Sequence, residues 1–346
     1  MKILGIETSC DETAAAVVEN GYKVLANFVS SSLPLHASSG GIIPEIAARE
    51  QVKAIIPVIE RTLSEDVPIG IGFKKGVSSN LGVPAPNVDA IAVTYGPGLI
   101  GSLLVGVEVA KTLSLVWGKP LIPINHLVGH IYAASLNIKG LLSFPLVALI
   151  VSGGHTEILF FEYHGEYKYL GGTRDDAAGE AFDKFARYIG LGYPGGPVIE
   201  QAAKDGRPNI YKLPRPLLKQ NNYDFSFSGL KTAAINLVSK INKNLHLSSQ
   251  EKADLSYEFQ EAVTDVLVSK TILAAKTFSC NNIVIGGGVA ANTALKIKMG
   301  SLFKGKVLYP KSKYSLDNAA MIAAAAYYNY KPVPWGKVKT NPSLLF

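Results

Sequence analysis

Apolar and polar positions repeat one plan in two places along the chain. Residues 1–30 read as three short apolar strands separated by polar turns, and residues 144–171 follow the same order. In each half a later apolar strand runs into a glycine turn and a helical pattern, over 90–113 and over 282–299. This repetition predicts an α/β fold that arose by internal duplication, with two similar lobes and a central cleft.

Two segments and the last helix depart from this plan. Residues 66–88 are rich in glycine, proline and serine, which is typical of a surface loop. Residues 206–229 are basic and contain several prolines, and we expect them to line the cleft or a partner surface. The final helical stretch, 316–330, is rich in small residues and is expected to pack closely against another element.

The length of the chain sets its domain organisation. A chain of 346 residues is long for one core, so it predicts two domains. We place an N-terminal lobe at 1–135 with 317–346, and a C-terminal lobe at 136–316. The composition, 48% hydrophobic and 18% charged, excludes a disordered protein.

Cysteine content and apolar run length indicate a compartment. Cys10 and Cys280 lie in different halves and show no disulfide pattern, which favours a reducing environment. The first residues lack a charged leader, and no apolar run approaches the roughly 20 residues of a bilayer span. We therefore expect a cytoplasmic protein that does not bind a membrane.

The formal net charge of +7 raises the question of a polyanionic partner. Basic residues gather in two regions: Lys204, Arg207, Lys212, Arg215 and Lys219, and then Lys296, Lys298, Lys304, Lys306, Lys311 and Lys313. Such clusters suit a nucleic acid, because each neutralised phosphate releases condensed counterions. A solvated basic surface explains the charge equally well.

Four glycine turns are candidate anion sites. They span 95–101, 151–156, 193–197 and 286–292. Backbone N–H groups in such turns can approach a phosphate, above all where a helix begins. A strand-to-helix turn also needs glycine for geometry alone, but four of them in a duplicated α/β chain favour a nucleotide or a phosphorylated substrate.

Two acidic stretches are candidates for chemistry. The helical pattern over 175–190 includes Asp183, whose carboxylate could accept hydrogen bonds from the hydroxyls of a ribose, although an exposed charged helix has the same pattern. The turn after the first strand includes Asp11 and Glu12. Acids at a strand's end beside a cleft often serve catalysis.

His126 and His130 are four residues apart, which places both rings on one face of a helix. Such a pair can share a metal ion if a third ligand exists, and otherwise it is incidental. Leu127 stands where a zinc protease of the His-Glu-x-x-His type has glutamate. Asp317, at the start of the last helix, is a candidate third ligand.

Taken together, these stretches resemble the successive motifs of the TsaD family, the threonylcarbamoyl transferases of tRNA modification. The motifs are GIETSCDETAAAVV, HASSGGIIPEIAAREQV, YGPGLIGSLLVG, NHLVGH, LIVSGGHTE, DDAAGEAFDK, YPGGP, DFSFSGLKT, GGGVAAN and LDNAAMIA. They occur in the family's order from the first residue to about residue 325.

The resemblance implies a fold, a reaction and partners. It implies the actin-like (ASKHA) fold, with two duplicated RNase H-like lobes. The family transfers a threonylcarbamoyl group from threonylcarbamoyl-AMP to N6 of the adenosine that follows the anticodon, in tRNAs reading codons that start with A. It also implies a threonylcarbamoyl-AMP synthase as supplier, a paralogous TsaB-like partner subunit and a small TsaE-like ATPase.

The resemblance further assigns site residues. It implies one divalent metal per subunit, usually iron with zinc or manganese as alternatives, held by His126, His130 and Asp317. The substrate-binding positions that it implies are Ile150, Val151, Ser152, Gly153, Gly154, Asp183, Gly196, Glu200 and Asn292. Asp11 and Glu12 are then our candidates for positioning the attacking amine or taking its proton.

Two departures from the family pattern and three competing functions remain. Bacterial relatives commonly have an acid at the position of Val128, so any role of that acid is absent here. The segment 66–88 is longer than usual. A kinase of the same fold leaves the histidine pair unexplained, a metalloprotease lacks the general-base glutamate, and a non-catalytic scaffold in a tRNA-modifying complex would not require every site residue.

Overall fold

The computed structural model describes residues 1–36, 41–64, 73–78, 84–140, 142–241 and 247–346. The chain divides into two compact units. Unit 1 comprises Met1–Leu142 and Pro310–Phe346, and unit 2 comprises Ser143–Tyr309.

Unit 1 is built on a five-stranded sheet with helices on both faces. Its strands are β1 (Lys2–Glu7), β2 (Glu12–Glu19), β3 (Lys23–Ser31), β6 (Ala90–Gly96) and β7 (Leu121–Asn125), and a separate short pair is formed by β4 (Phe73–Ser78) and β5 (Pro84–Pro86). Its first helices are α1 (Leu33–His36), α2 (Pro44–Leu63), α3 (Ile100–Trp117) and α4 (His126–Tyr132). The sheet order is β3-β2-β1-β6-β7.

The interior of strand β1, from Ile3 to Ile6, is apolar because both faces of the strand are covered. Leu4 and Ile6 belong to the core that includes Ile55 and Ile59 of α2. Gly5 points to the opposite face, where an added Cβ would lie 2.3 Å from the carbonyl oxygen of Ala319. A strand buried on both faces reads as a continuous apolar run rather than an alternating one.

Unit 2 repeats the sheet and surrounds it with longer helices. Its strands are β8 (Leu146–Val151), β9 (Thr156–Tyr163), β10 (Glu166–Gly172), β11 (Asn282–Gly286) and β12 (Lys306–Leu308). Its helices are α5 (Ala178–Tyr188), α6 (Gly195–Ala203), α7 (Ser228–Ile241), α8 (Ser249–Thr277) and α9 (Thr293–Leu302). The sheet order is β10-β9-β8-β11-β12.

The two sheets have one topology. In each, the first three strands pair antiparallel, and the remaining two extend the sheet in parallel. The predicted α/β duplication is therefore confirmed.

The last helix, α10 (Ala319–Tyr328), returns the chain to unit 1. Eight consecutive residues, from Ala319 to Ala326, are buried. The alanine-rich sequence allows this close approach, since the helix packs on β1 where Gly5 has no side chain. The prediction that this helix packs closely is confirmed.

Two expectations need correction. The segment 66–88 is not simply a surface loop, because it contains the β4–β5 pair and because Ala85 and Val88 are buried; residues 66–72 and 79–83 lie outside the described part. Helix α3 is also long and apolar enough to cross a membrane by length and composition. Its residues Val107, Ala110 and Trp117 are instead buried in the unit 1 core, as in the core helix of a globular protein.

Candidate metal centre and substrate site

The two histidines lie on one short buried helix. The side chain of Asn125, the last residue of β7, accepts a hydrogen bond from the backbone N–H of Leu127 at 2.9 Å, so helix α4 begins at His126. His130 follows one turn later, and the two ring centroids are 4.7 Å apart. Both residues are buried, at 6% and 1% exposure. The helical placement predicted for this pair is confirmed.

Asp317 reaches the histidines from the other end of the chain. It comes directly before Asn318, whose side chain caps α10 by accepting from Met321 N. Its Oδ1 lies 3.6 Å from His126 Nε2 and 3.2 Å from His130 Nε2. The ligand atoms of these three residues lie within 4.8 Å of one another. The group could therefore hold a metal ion.

The chemistry of this group fits a divalent transition metal. Both ring nitrogens of His130 are buried and lack a hydrogen bond of good geometry among the described residues. A buried polar atom without such a bond is costly, and coordination would relieve that cost. Two imidazoles and one carboxylate suit iron, zinc or manganese rather than magnesium or calcium, which prefer oxygen ligands alone.

Glu7 orients one of the histidines and was missed from the sequence. Its Oε2 lies 3.0 Å from His126 Nδ1, and the Glu7 carboxylate also accepts from Ser9 N at 2.6 Å and from the Thr94 hydroxyl. A carboxylate on Nδ1–H fixes the tautomer and directs Nε2 toward the metal position. The sequence offered one signal for this role, because Glu7 is an acid at the end of an apolar strand that is expected to be buried.

Charge couples Glu7 and His126 strongly. Burial raises the pKa of Glu7, but the adjacent His126 outweighs it and holds that pKa below its usual value. Burial lowers the pKa of His126, while Glu7 and Asp317 raise it to about 9. Without a cation the ring is therefore protonated at neutral pH, and metal binding must displace that proton.

The predicted acid Asp11 lies in the turn between β1 and β2, and Glu12 is the first residue of β2. Asp11 is buried, and its carbonyl oxygen accepts from both the N–H and the hydroxyl of Ser32, each at 3.0 Å. Burial first, and then the charge of Asp317, raise the pKa of Glu12 to about 10. Both acids belong to unit 1, as does the histidine–aspartate group.

The predicted phosphate-binding turn follows β8 in unit 2. Ile150 and Val151 are fully buried strand residues whose backbone is paired with β9, so they support the turn from beneath. Ser152 N donates to His155 O at 2.8 Å and closes the turn. Added Cβ atoms at Gly153 and Gly154 would meet nothing within 4 Å. The turn therefore presents open backbone, as an anion site requires.

Helix α5 begins against this turn. Gly179 N donates to Ser152 O at 3.1 Å, and a Cβ at Gly179 would lie 2.5 Å from that oxygen, so only glycine permits the approach. One turn further, Asp183 Oδ1 accepts from Gly195 N at 2.6 Å and so holds the start of α6. Burial, only partly offset by this hydrogen bond, raises the pKa of Asp183. Gly196 beside it opens to free space.

Glu200 and Asn292 join α6 to α9. Glu200 Oε1 accepts from Thr293 N at 2.9 Å, and Asn292 Nδ2 lies 3.4 Å from Glu200 Oε2. Asn292 Oδ1 meanwhile caps α9 by accepting from Leu295 N at 2.9 Å. These side chains therefore hydrogen-bond to each other and to the backbone. They stabilise the contact between α6 and α9, whether or not they also bind a ligand.

The segments that hold the predicted substrate positions contact one another in a ring. It runs from the turn after β8 through α5, α6 and α9, and it returns through Gly287, whose φ is +91° and whose added Cβ would lie 2.4 Å from Val151 O. Four segments distant in sequence are thereby brought together within unit 2. The histidine–aspartate group and the acidic turn belong to unit 1.

Fewer cations of the two basic regions are available to a polyanion than the sequence indicates, because several are paired with carboxylates. Arg207 pairs with Asp254 at 2.7 Å, and Arg215 pairs with Glu258 and Asp265. In the second region Lys298 pairs with Glu261 and Asp265. These three cations are engaged inside unit 2. Lys204, Lys212 and Lys219 are exposed.

Comparison with known sequences decides the family. The family model described as TsaD, tRNA N6-adenosine threonylcarbamoyltransferase, matches residues 23–324. The chain belongs to the TsaD family. Proteins of that name from Thermomicrobium roseum and Moorella thermoacetica are similar to it, at 49% and 47% identity, each over 95% of this chain and 92% of the relative. The family is one of metal-dependent acyltransferases that modify tRNA.

Solved structures agree on the fold. An activator of 2-hydroxyisocaproyl-CoA dehydratase from Clostridium difficile matches 95% of this chain and 95% of its own at 13% identity, with a TM-score of 0.50. Component A of the Acidaminococcus fermentans (R)-2-hydroxyglutaryl-CoA dehydratase matches 95% and 98% at 14% identity and a TM-score of 0.54. These are actin-like folds, so the ASKHA prediction is confirmed.

Proposed function

We propose that this chain transfers the threonylcarbamoyl group from threonylcarbamoyl-AMP to N6 of the adenosine 3′ of the anticodon in tRNAs that read codons starting with A. The convergence of His126, His130 and Asp317 carries the proposal, because a kinase of the same fold would have no use for these three residues. The family membership supplies the reaction class and makes tRNA the substrate.

The metal in this proposal is a single divalent ion per subunit, and iron(II) is our choice, with zinc or manganese as alternatives. His126 Nε2, His130 Nε2 and Asp317 would hold it. When bound, the ion supplies Lewis acidity and a fixed point of attachment for the adenylate. Glu7 keeps the His126 ring in the orientation that coordination needs.

The adenylate would bind to unit 2. The backbone N–H groups of Ser152, Gly153 and Gly154 would donate to its phosphate, since the turn is open there. Gly195 N occupies only one acceptor position of the Asp183 carboxylate. The remaining acceptor positions would take hydrogen bonds from the ribose hydroxyls. Ile150 and Val151 would support this turn from strand β8, while Gly196, Glu200 and Asn292 would form the adjoining wall of the site.

Asp11 and Glu12 would accept the proton of the attacking amine or position that amine. The N6 amine attacks the carbamoyl carbon, the bond from that carbon to the phosphate oxygen breaks, and AMP leaves with the electron pair. The proton lost by the amine passes to a carboxylate, and we assign this task to Asp11. Glu12, whose pKa burial raises, would position the attacking amine through a hydrogen bond.

The proposal also covers the two lobes of the enzyme, its partner proteins and its compartment. Residues 1–135 with 317–346 and residues 136–316 would act as its two lobes. A threonylcarbamoyl-AMP synthase would supply the adenylate. A TsaB-like subunit and a TsaE-like ATPase would be partners, in the cytoplasm and without a membrane.

Nucleoside analysis tests the proposal directly. The chain is incubated with tRNA, threonine, bicarbonate, ATP, an adenylate-forming enzyme and the candidate partner subunits, and digested tRNA is examined by mass spectrometry. We expect threonylcarbamoyladenosine with the parent and none with His126→Ala. Parent protein that yields no modified nucleoside, while a bacterial relative does so in the same mixture, would refute the proposal.

A further inference from the structure

Gln51 lies where helix α2 passes under the acidic turn. It is fully buried. Its Nε2 lies 2.9 Å from the carbonyl oxygen of Cys10 and 3.0 Å from that of Glu12, with the carbonyl of Thr8 at 3.5 Å. The two closest carbonyls flank Asp11 on either side, so one amide group holds the backbone around the acid that we place in proton transfer.

The orientation of this amide is forced. Rotating it by 180° would set Oε1 against three carbonyl oxygens, all of which are acceptors. In the observed orientation Oε1 is buried and lacks a hydrogen-bond partner among the described residues. An apolar side chain of the same size would fill the space without leaving an acceptor unsatisfied. The donor group, not the volume, is therefore the property that this position uses.

Other side chains hold the same turn. The hydroxyl of Ser102 donates to Cys10 O at 3.0 Å, and Ser32 donates to the carbonyl of Asp11. Three successive carbonyls, those of Cys10, Asp11 and Glu12, are thus fixed by hydrogen bonds from outside the turn. Of these donors, only Gln51 reaches the carbonyls on both sides of Asp11, and so it restrains the peptide group before Asp11 and the peptide group after Glu12.

We propose that Gln51 is a positioning residue for the transfer reaction, which acts through the backbone to aim the carboxyl groups of Asp11 and Glu12. This inference rests on the proposed function. It does not involve the metal ligands, since the hydrogen bonds of the Gln51 amide go to the turn. Its loss should therefore lower the turnover number while the metal and both substrates still bind.

The test compares Gln51→Met, which keeps the length and removes the donor, with Thr62→Val. Thr62 is a matched control: it is also buried on α2, and its hydroxyl lies 2.8 Å from Val58 O of the same helix and 3.2 Å from Ala15 O of β2, neither of which is in the turn. Each variant is assayed for kcat, for KM of the adenylate and of tRNA, for bound metal and for Tm.

We expect Gln51→Met to lower kcat about 10- to 100-fold, as misplacement of catalytic groups does, with both KM values and the metal content at the parent level. Thr62→Val should keep the parent kcat. A parent-like kcat in Gln51→Met, or an equal loss in both variants, would overturn the inference. An inactive parent would instead refute the proposed function, so the two failures are distinguishable.

A second variant covers a failure of Gln51→Met to fold. Gln51→Glu keeps the shape but replaces the donor by an acceptor, which repels the three carbonyls when ionised and donates when protonated. Its kcat relative to the parent should rise as the pH falls. A ratio that does not change with pH would contradict a donor role for this position.

Discussion

Glu7 Oε2 and His126 Nδ1 lie 3.0 Å apart, and this hydrogen bond joins the end of the first strand to the helix that holds the histidine pair. The two residues are 119 positions apart in the sequence. Because the carboxylate occupies Nδ1, the remaining nitrogen, Nε2, faces Asp317. A residue outside the histidine–aspartate group thus orients one of its two imidazole rings.

Glu7→Gln should weaken metal binding by about 10- to 100-fold, the usual effect of removing an orienting carboxylate. The amide keeps the size of the side chain but lacks the negative charge that stabilises the Nδ1–H of His126 when Nε2 binds a cation. Metal competition with a chelator of known affinity measures the effect. Glu19→Gln, which alters only the surface pair with Lys23, is the control. Equal metal affinity in both variants would show that Glu7 is merely a buried structural acid.

His126→Ala, His130→Ala and Asp317→Ala should each remove stoichiometric metal, since the remaining two ligands cannot hold it in a closed site. Elemental analysis of the purified proteins measures this loss. His164→Ala, at the tip of the β9–β10 hairpin, should leave the metal content unchanged. Metal retained in all three variants would place the ion elsewhere.

Asp183→Ala should weaken the binding of adenylate-type ligands by about 2 to 3 kcal/mol, the loss of hydrogen bonds to a charged group. It should also lower Tm, because Gly195 N loses its acceptor. Asp183→Asn retains an acceptor for Gly195 N, and therefore separates the two effects. Calorimetric titration with AMP provides the affinity. Unchanged affinity in both variants would remove the ribose assignment.

Binding of tRNA should fall steeply with salt, and the exposed lysines should carry part of that dependence. Replacing Lys204, Lys212 and Lys219 by glutamine should weaken binding and lower the salt slope by about one for each phosphate that is no longer neutralised. Arg215 is left intact, because its removal would strand the buried Glu258. Filter binding over a series of salt concentrations measures both quantities. A triple variant with the parent's affinity and slope would show that these lysines are only a solvated face.

Acid should destabilise unit 2 through Asp254. Hydrogen bonds from the Arg207 side chain lower the pKa of Asp254 to about 2. A depressed pKa in the folded state stabilises the protein above the unfolded value of about 4, and this contribution is lost as the pH falls toward about 2. Asp254→Asn should therefore flatten the dependence of Tm on pH across that window. A variant with the parent's slope would assign acid sensitivity to other carboxylates.

Much of the fold follows from local sequence patterns. The apolar runs of β1 and β8 and the helical spacing of His126 and His130 are local properties, so the duplication, the strands and the histidine helix could all be predicted. The pair of short strands at 73–78 and 84–86 could not. Its glycine and proline content is that of a loop, and only the burial of Ala85 and Val88 reveals a packed element.

The sequence by itself determined which residues are candidates for chemistry, because imidazole, carboxylate and glycine turns are properties of residue type and spacing. Tertiary structure decided what surrounds them. Glu7 faces His126, Gln51 holds the turn at Asp11, and Arg215 is paired with Glu258. These interactions join residues that are far apart in the sequence, and no local pattern encodes them. They depend on which strands neighbour one another and how the helices pack on the sheets.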